Sequence, residues 1–468
     1  MLSGQTFDDA LRYSFIEPFG TARFVGAGGA LGPLGADYSV INTNPAGLAW
    51  MRRSEFMFTP ALVLNTTEST LVNGSGNLPF SDAEAGFKLP NVGYVVATRG
   101  VNFALGLNRI ADFNQQFFFQ GSSQGSIVNR WEELANAFGV AEGTEAGLAN
   151  EAFALIDNNG VFITDLSGYE NLLIRKEQLV QRSGSLNEFS IAFAGNSEDK
   201  ILWGVALGIP FLNYQEEKAY QEEKDFNTKP TELLDSPFND LRYNQDLTAT
   251  GSGINLKLGI IYRMNQMVRF GASIHTPTYY QIAETFGTEI VYRYTDVDGT
   301  LQSSPPNTSS LGDFNYKLRS PWRFNGGVGA VFGKSGFLSG EVEYVNYSSN
   351  RFIFDGFSQD EAIVNDEVED NLTSALKLRV GGEYAQGALR LRAGLGTQQA
   401  PLANDDTWYN TLSAGVGLRQ DRYFVDFAYR RTGLQTTYSP FVTTNVPQQF
   451  VDNNVVGEVF LLTVGFKW

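Results

Sequence analysis

The feature that most constrains the fold of this chain is an alternation of apolar and polar residues with a period of two. It recurs in segment after segment, with basic residues on the second face in SALKLRVGGEY and ALRLRAGL. At the C-terminal end of the sequence, five large apolar residues share one face: Phe460, Leu462, Val464, Phe466 and Trp468. Successive side chains of a β-strand point to opposite faces, so this period predicts half-buried strands along most of the chain.

The connections between these segments alternate between short and long. The short turns lie at 98–100, 195–200, 264–267, 333–336, 385–387 and 420–421. The long connections lie at about 67–87, 114–185, 214–246, 287–313, 355–373, 399–407 and 434–456. Fourteen strands result, and outer-membrane barrels place short turns on the periplasmic side and long loops outside. The sequence therefore predicts an all-β fold, a 14-stranded antiparallel transmembrane β-barrel.

The alternative is a large soluble β-sandwich or propeller, which period-two strands also build. Charged residues recur on one face of nearly every strand, as a water-filled lumen requires. Aromatic residues gather near strand ends, as in interfacial girdles. Both features favour the barrel.

Composition excludes several classes of function. Charged residues make up 18% of the chain, below the roughly 25% that is usual in soluble domains. The net charge of −17 argues against a nucleic-acid partner. With no cysteine and one histidine, His275, we expect no disulfide, no zinc site, no cofactor and no catalytic triad. The acidic stretch VNDEVEDN at 364–371 is either a solvated loop or a calcium site.

The first fifty residues differ from the rest. A Gly-rich run leads into INTNPAGLAW at 41–50, where polar and turn-forming residues interrupt an apolar stretch just before the first strand near Arg53. Pro45 fixes φ, Asn42 and Asn44 can satisfy local backbone groups, and Gly47 permits a bend. The residues alone predict a turn here.

The run FGTARFVGAGGALGPLGADYSVINTNPAGLAW resembles the N-terminal plug, or hatch, of the FadL/TodX family of outer-membrane hydrophobic-compound transporters. Asn44, Pro45 and Ala46 match the family's motif before its first strand. The segments VRFGASIHTPTYY, SPWRFNGGVGAVFG and LRVGGEYAQGALRLRAGL follow in the family's order. The resemblance, of Bacteroidetes type, implies a plug of residues 1–52 inside a barrel of residues 53–468.

The same resemblance implies a function. Fatty-acid-like or aromatic compounds would pass by passive diffusion, released when the plug shifts and the wall opens laterally at a kinked third strand, here 101–113. The sequence VNFALGLNRIADF loses its alternation after Leu107, which is consistent with irregular pairing.

Three sets of site residues follow from the resemblance and from the charge pattern. The plug gate is Asn42, Asn44, Pro45, Ala46 and Gly47. The ligand pocket on the plug is Phe15, Phe19, Phe24 and Val25, unless these side chains pack on each other instead. The lumen charges are Arg269, Lys377, Arg379, Arg390, Arg392, Glu341, Glu343 and Asp426. They form salt bridges that hold the plug, or they attract a ligand carboxylate.

The long loops depart from the family pattern. The segment 214–246 is strongly acidic, and the longest connection, 114–185, contains a stretch with apolar residues at helical spacing: Trp131, Leu134, Ala135 and Phe138. This predicts a helix that either covers the barrel mouth or offers an apolar capture surface.

The alternative function is a structural or docking subunit of an envelope protein-secretion or assembly complex, as in PorV-like relatives, with protein partners and no transport of its own. The expected partners of a transporter are outer-membrane lipid, lipopolysaccharide and a hydrophobic small molecule. We expect the outer membrane of a Gram-negative bacterium as its location. The sequence does not begin with a basic region followed by an apolar stretch, so a signal peptide is expected to have been removed.

Overall fold

A computed structural model describes residues 6–17, 19–72, 77–169, 173–224, 236–305 and 309–468. In these residues fourteen antiparallel strands form one closed barrel, because β1 pairs with β2 on one side and with β14 on the other. The strands are β1 Glu55–Leu71, β2 Phe80–Val96, β3 Val101–Asp112 with Gln115–Gln124, β4 Leu173–Ser197, β5 Ile201–Lys224, β6 Phe238–Arg263, β7 Val268–His275 with Tyr279–Thr295, β8 Ser309–Arg319 with Arg323–Val331, β9 Gly336–Asn346, β10 Ser374–Gln386, β11 Leu389–Gln399, β12 Trp408–Arg419, β13 Tyr423–Tyr438 and β14 Val451–Lys467. The predicted fold is confirmed.

Alternation sorts the side chains between the two faces of the wall. On β11, Leu391 and Leu395 are exposed on the outside, whereas Arg392 is buried on the inside. On β12, Leu412 and Val416 are likewise exposed. An apolar outer face and a polar inner face are what a barrel in lipid around a polar lumen requires.

Several strands are longer than the sequence predicted. The segments 114–185, 214–246, 287–313 and 434–456 were expected to be loops, but strand pairing continues far into each of them. Residues 170–172, 225–235 and 306–308 of these segments lie outside the described residues. In the extension of β5, EEKAYQEEK at 216–224, polar residues stand on both faces. This extension therefore lacks the apolar–polar alternation that marks a strand, although the ladder of backbone hydrogen bonds continues.

The short elements lie in the N-terminal segment and in the long loops. They are α1 Phe7–Ser14, α2 Ala22–Gly26, 3₁₀ turns at Tyr38–Asn42, Pro45–Trp50 and Tyr347–Ser349, α3 Ile127–Phe138, α4 Glu145–Glu151, α5 Ser358–Asn371 and short strands at Ile156–Asn158, Val161–Ile163, Leu301–Ser303 and Arg351–Ile353. None of the helices in the described residues is long and apolar enough to cross a membrane. The acidic stretch 364–371, expected as a solvated loop or a calcium site, is part of α5.

Buried side chains form a cluster at the long-loop end of the barrel. Helix α3 forms where its apolar spacing predicted it. Its Trp131 and Ala135 are buried among the upper parts of the strands, which are the parts nearest the long loops. The Trp131 indole donates a hydrogen bond to Glu145 at 3.0 Å and packs edge-on against Tyr243. Phe138 remains 64% exposed. The helix therefore covers the barrel mouth with most of its apolar face turned inward.

The N-terminal segment runs inside the barrel from the long-loop end to the short-turn end. Tyr13 of α1 packs edge-on against Tyr214 at the upper part of β5. Trp50, at the other end of the segment, stacks under the guanidinium of Arg269 near the turn between β6 and β7. Residues 6–17 and 19–54 therefore fill the lumen before β1 begins, and residues 1–5 lie outside the described part.

Candidate functional site

The Asn-Pro-Ala turn is seated on three glycines of neighbouring wall strands. A Cβ on Gly204 of β5 would lie 2.3 Å from the backbone nitrogen of Ala46, and one on Gly259 of β6 would lie 2.0 Å from the Asn44 Oδ1. A Cβ on Gly271 of β7 would lie 3.1 Å from the Asn44 amide nitrogen. Because no side chain larger than hydrogen fits between plug and wall here, these glycines allow the turn to lie directly on the strands.

Hydrogen bonds fix the same turn. The Asn44 amide donates to the backbone carbonyl of Ile260 at 3.1 Å, and its Oδ1 accepts from the Ala46 N–H at 3.1 Å, which caps the following 3₁₀ turn. Lys257 donates to the Asn42 Oδ1 at 3.3 Å. The backbone carbonyl of Gly47 accepts from the Ala36 N–H at 3.0 Å. The turn is thus bonded both to the wall and to the rest of the plug.

A cavity of about 100 Å³ lies between the plug and strands β10 to β13. Its plug side is mostly apolar and its wall side is mostly polar. The plug side includes Phe15, Glu17, Phe24 and Val25, and the wall side includes Lys377, Arg379, Gln398, Tyr409, Thr411 and Arg430. An apolar surface that faces a few convergent polar groups is the usual character of a small-molecule site.

Three cations reach this cavity, and they differ in how well they are paired. Arg379 bonds Glu341 at 3.0 Å and Glu343 at 2.8 Å. In the part of the chain that the structure describes, the carboxylate within ion-pair distance of Arg430 is that of Glu17, at 3.6 Å. Lys377 makes no hydrogen bond or ion pair in the described part of the chain, and Glu17 is the foremost negative charge acting on it. The positive charge at the cavity is therefore only partly compensated.

The other lumen charges hold the plug to the wall. Arg392 bonds Asp426 at 2.6 Å with both side chains fully buried. Arg23 of the plug lies 3.4 Å from Glu383 of β10, and the Gly32 N–H of the plug donates to Glu341 at 3.0 Å. The salt bridges anticipated from the mixed charges are thus present, in part between plug and wall.

A second, smaller and polar cavity of about 30 Å³ lies on the opposite side of the plug. It is lined by Asn42, Glu188, Lys257 and His275, among others, and Lys257 pairs with Glu188. The single histidine hydrogen-bonds the backbone carbonyl of Thr43 at 2.9 Å. This side of the lumen is polar and internally paired, so the apolar cavity is the better ligand site.

The wall is irregular between β2 and β3. The backbone ladder between these strands runs from Val96 and Phe103 up to Asn91 and Asn108 and stops there. Above that pair, β3 carries a bulge between Arg109 and Ala111. Among the described residues, 84–90 of β2 face residues 109–114 of β3 without backbone pairing, and we call this interruption the wall gap.

Side chains border the wall gap at both ends. At the short-turn end the Asn91 amide donates to the Asn108 Oδ1 at 2.6 Å. At the long-loop end the rings of Phe80 and Phe118 meet edge-on at 5.1 Å. The kink that the sequence suggested after Leu107 therefore coincides with a break in the wall.

Plug residues 15–19, of which Pro18 is outside the described set, lie between the cavity and the wall gap. The Glu17 N–H donates to the Ile110 carbonyl at 2.8 Å, and the Phe19 N–H donates to the Arg109 carbonyl at 3.2 Å. The side chains of Phe15 and Glu17 line the cavity. This segment, which we call the latch, has the Phe15 and Glu17 side chains in the cavity and the backbone N–H groups of Glu17 and Phe19 on the free edge of β3.

The structure distributes the anticipated site residues unevenly. Phe15, Phe24, Val25, Lys377 and Arg379 meet at the cavity. Phe19 is buried beside it, with its ring 5.0 Å below the Arg430 guanidinium. The other six lumen charges do not line this cavity. Glu341 and Glu343 pair with Arg379, and Arg392 pairs with Asp426. Arg269 lies over Trp50, and Arg390 donates to the backbone carbonyls of Gly387 and Leu389.

Sequence reasoning missed Glu17, Tyr38, Asn91 and the pairing of Asn91 with Asn108. The Tyr38 hydroxyl accepts from the Asn108 amide at 3.1 Å, which links the plug to the top of the β2–β3 ladder. The sequence does mark Asn91 and Asn108 as unusual, because Asn is depleted in strands and each of the two stands at an inward position. Glu17, as a lone acid between apolar residues, was also visible.

No protein-family model and no curated protein matches the sequence. The fold, however, is similar to that of solved outer-membrane transporters. The toluene transporter TodX of Pseudomonas putida has 12% identity and a TM-score of 0.54, over 96% of this chain and 98% of that chain. A FadL homologue of Pseudomonas aeruginosa has 13% identity and a TM-score of 0.56, over 96% and 99%.

The toluene transporter TbuX of Ralstonia pickettii has 16% identity and a TM-score of 0.51, again over 96% of this chain and 99% of that chain. At these identities the comparison establishes the architecture. The chain has the fold of the FadL/TodX transporters, as the resemblance of its plug and strand segments implied.

Proposed function

We propose that this protein is an outer-membrane channel for the passive uptake of hydrophobic small molecules, which pass through the lumen cavity and leave through the wall gap. The observation that carries this proposal is the position of the latch, with the Phe15 and Glu17 side chains in the cavity and the Glu17 and Phe19 N–H groups on β3. The solved proteins of the same fold include toluene transporters, which supports a hydrophobic cargo.

The latch is the part of the plug that moves in this mechanism. Two backbone hydrogen bonds hold it to β3, and each contributes only about 0.5–1.5 kcal/mol net. Local displacements of that size are accessible in a folded protein. Once the latch shifts, a molecule in the cavity reaches the wall gap without the barrel having to unpair.

The Asn-Pro-Ala turn has a different part in this proposal. Its close seating on Gly204 and Gly259 and its bond to the Ile260 carbonyl suit an anchor that keeps the plug in the lumen. The role of gate that the resemblance assigned to Asn42, Asn44, Pro45, Ala46 and Gly47 stays a prediction. We assign gating to residues 15–19 instead.

The apolar outer face of the wall supports a location in the outer membrane, where lipid and lipopolysaccharide surround it. No chemical step is part of the proposal, since the cargo leaves as it entered. Directional uptake then depends only on the concentration gradient of the cargo.

Uptake measurements on Gram-negative cells that express the full chain test this function. We expect cells with the protein to take up radiolabelled toluene or octan-1-ol faster than cells without it, and to take up glucose no faster. Equal uptake of the hydrophobic probes with and without the protein would refute the proposal. Faster entry of glucose would identify a water-filled pore instead.

The second candidate function is a docking subunit of an envelope complex. It is favoured by α5, on which four acidic side chains at the long-loop end are exposed: Asp366, Glu367, Glu369 and Asp370. Such a surface suits a basic protein partner. Purification of the full chain from its native membrane in nanodiscs tests this candidate, which requires a stoichiometric protein partner that is lost when these four residues are changed to Gln or Asn.

A further inference from the structure

Three arginines meet where the plug ends and β1 begins, at the short-turn end of the lumen. Arg52 follows the last turn of the plug, whereas Arg263 ends β6 and Arg269 lies near the start of β7. Arg263 and Arg269 are directly paired across these two strands. Both guanidiniums lie on the ring of Trp50, with their central carbons 5.7 Å and 4.2 Å from its centroid. Plug and wall thus bring positive charges together around one indole.

No carboxylate compensates this cluster in the part of the chain that the structure describes. None of the three arginines has an acidic side chain within ion-pair distance there. The two charges that act on Arg269 are those of Arg263 and Arg52, and both are positive. Like charges that stand directly opposite on paired strands are destabilising. The turn between β4 and β5 carries Glu198 and Asp199, but neither pairs with these arginines.

Several N–H donors of the cluster also lack an acceptor. The Trp50 Nε1 and the Arg269 Nε are buried and make no hydrogen bond in the described residues. Arg269 donates one bond elsewhere, to a backbone carbonyl of the plug at 3.0 Å, and Arg263 donates one to the Asn265 carbonyl at 3.2 Å. The side chain of Arg52 is exposed and donates to no described residue. The cluster is therefore rich in donors and poor in acceptors.

A phosphate group has the charge and the acceptors that this cluster lacks. Guanidinium groups bind phosphate oxygens through paired, charge-assisted hydrogen bonds. The accessible groups are the guanidiniums of Arg52, which is exposed, and of Arg263, which is half-buried. In the adjacent turn Met264 and Met267 are 60% and 46% exposed. An acyl chain of a phospholipid would lie against them, whereas a free phosphate would leave them exposed.

From this arrangement we propose that Arg52, Arg263 and Arg269 form a phosphate-binding site at the short-turn end of the lumen, which takes the headgroup of an anionic phospholipid or a soluble phosphate. The bound phosphate bridges Arg52 of the plug to Arg263 of the wall and offsets the repulsion between the cations. The site shares no residue with the cavity or the latch, so it is independent of the cargo and goes beyond the proposed uptake function.

Calorimetric titration of the full chain in dodecyl maltoside, a detergent without phosphate, tests this site. The probes are sodium phosphate, dihexanoyl phosphatidylglycerol and dihexanoylglycerol, the last of which has the same acyl chains and no phosphate. We expect saturable binding of the phosphate-bearing probes. Dihexanoylglycerol should bind at least about tenfold more weakly than dihexanoyl phosphatidylglycerol, because it lacks the charge-assisted hydrogen bonds.

Variants of the accessible arginines locate the binding. Arg263→Gln and Arg52→Gln should each weaken the binding of the phosphate-bearing probes about tenfold, and Arg263→Lys should retain most of the affinity. Arg99→Gln is the matched control, since Arg99 is exposed on the turn between β2 and β3 and has no acidic partner in the described residues. It should leave all affinities within about twofold.

The bridge between plug and wall gives a second readout. Because a ligand of the folded state stabilises it, sodium phosphate should raise the urea midpoint of the unchanged protein and of Arg99→Gln. The midpoints of Arg263→Gln and of Arg52→Gln should rise much less. Arg52→Gln keeps the test valid if Arg263→Gln fails to fold, because Arg52 is exposed and donates no hydrogen bond to a described residue.

The outcomes distinguish the sources of phosphate. Binding of dihexanoyl phosphatidylglycerol at least tenfold more tightly than sodium phosphate would identify a phospholipid headgroup, and the reverse order would identify a soluble phosphate. Comparable affinities would show that the phosphate group alone is recognised. Failure of both phosphate-bearing probes to bind, or an equal loss of affinity in Arg263→Gln and Arg99→Gln, would overturn the site and leave the uptake function standing.

Discussion

The Asn91 amide donates a 2.6 Å hydrogen bond to the Asn108 Oδ1 across the last backbone-paired position of β2 and β3. The Asn108 amide in turn donates to the Tyr38 hydroxyl of the plug. Beyond this pair the two strands separate and the wall gap begins. The asparagine pair therefore marks where the wall stops being continuous, and it ties that point to the plug.

Removal of Asn108 should weaken this junction. The change Asn108→Leu leaves the buried Asn91 amide and Tyr38 hydroxyl without their partner, so we expect a loss of about 1–3 kcal/mol in the free energy of unfolding. Urea unfolding in detergent, followed by tryptophan fluorescence, measures it. Asn213→Leu, at an exposed position of β5, is the control and should change stability by no more than about 0.5 kcal/mol. Equal losses of unfolding free energy in the two variants would mean that the hydrogen bonds of Asn108 do not stabilise the barrel.

The seat of the Asn-Pro-Ala turn should tolerate no added methyl group. In Gly259→Ala the new Cβ would lie 2.0 Å from the Asn44 Oδ1, so the turn must move, at a cost of about 1–3 kcal/mol. We expect a displaced plug and a higher ion conductance in planar lipid bilayers. Gly433→Ala on β13, where nothing lies within 4 Å of the added Cβ, should conduct like the unchanged protein. Identical conductance of both variants would contradict the assignment of this turn as an anchor.

The buried pair of Arg392 and Asp426 should be costly to break from one side. Arg392→Met leaves Asp426, within the described residues, with Arg419 alone as an ion-pair partner, at 3.7 Å, and we expect a loss of about 3–5 kcal/mol in unfolding free energy. The double variant Arg392→Met with Asp426→Leu should recover part of that loss, because the Asp426 charge is removed together with its partner. Glu383 also loses Arg392 but keeps Arg23 at 3.4 Å, whereas Arg419 loses its pairing with Asp426. A double variant less stable than the single one would contradict this explanation.

Much of the wall could be predicted from the sequence because lipid imposes alternation. Leu389, Leu391 and Leu395 mark β11 as clearly as any contact does. The upper part of β5 could not be predicted, since its polar residues face water or other polar groups on both sides. The local sequence also does not reveal which residues of β6 this part of β5 pairs with.

The two sides of the site could each be predicted from the sequence, but their meeting could not. The apolar plug residues Phe15, Phe24 and Val25 suggested a pocket, and the cations Lys377 and Arg379 were identified as lumen charges. That these two groups face each other depends on how a closed barrel brings β10 and β13 around the plug. The meeting of Glu17 and Arg430, more than 400 residues apart, is a consequence of that closure.

The most direct test of the account asks whether the latch must leave β3 for uptake. The double variant Glu17→Cys with Ile110→Cys places one thiol on the latch and one on β3, at residues whose backbone nitrogen and oxygen are 2.8 Å apart, in a chain that has no other cysteine. Loss of both free thiols on oxidation verifies that the disulfide has formed. Uptake of radiolabelled octan-1-ol by cells expressing it is measured before and after reduction, beside each single-cysteine variant. We predict background uptake in the oxidised form and full recovery on reduction. Equal uptake in the oxidised and reduced forms would contradict passage through the wall gap under control of the latch.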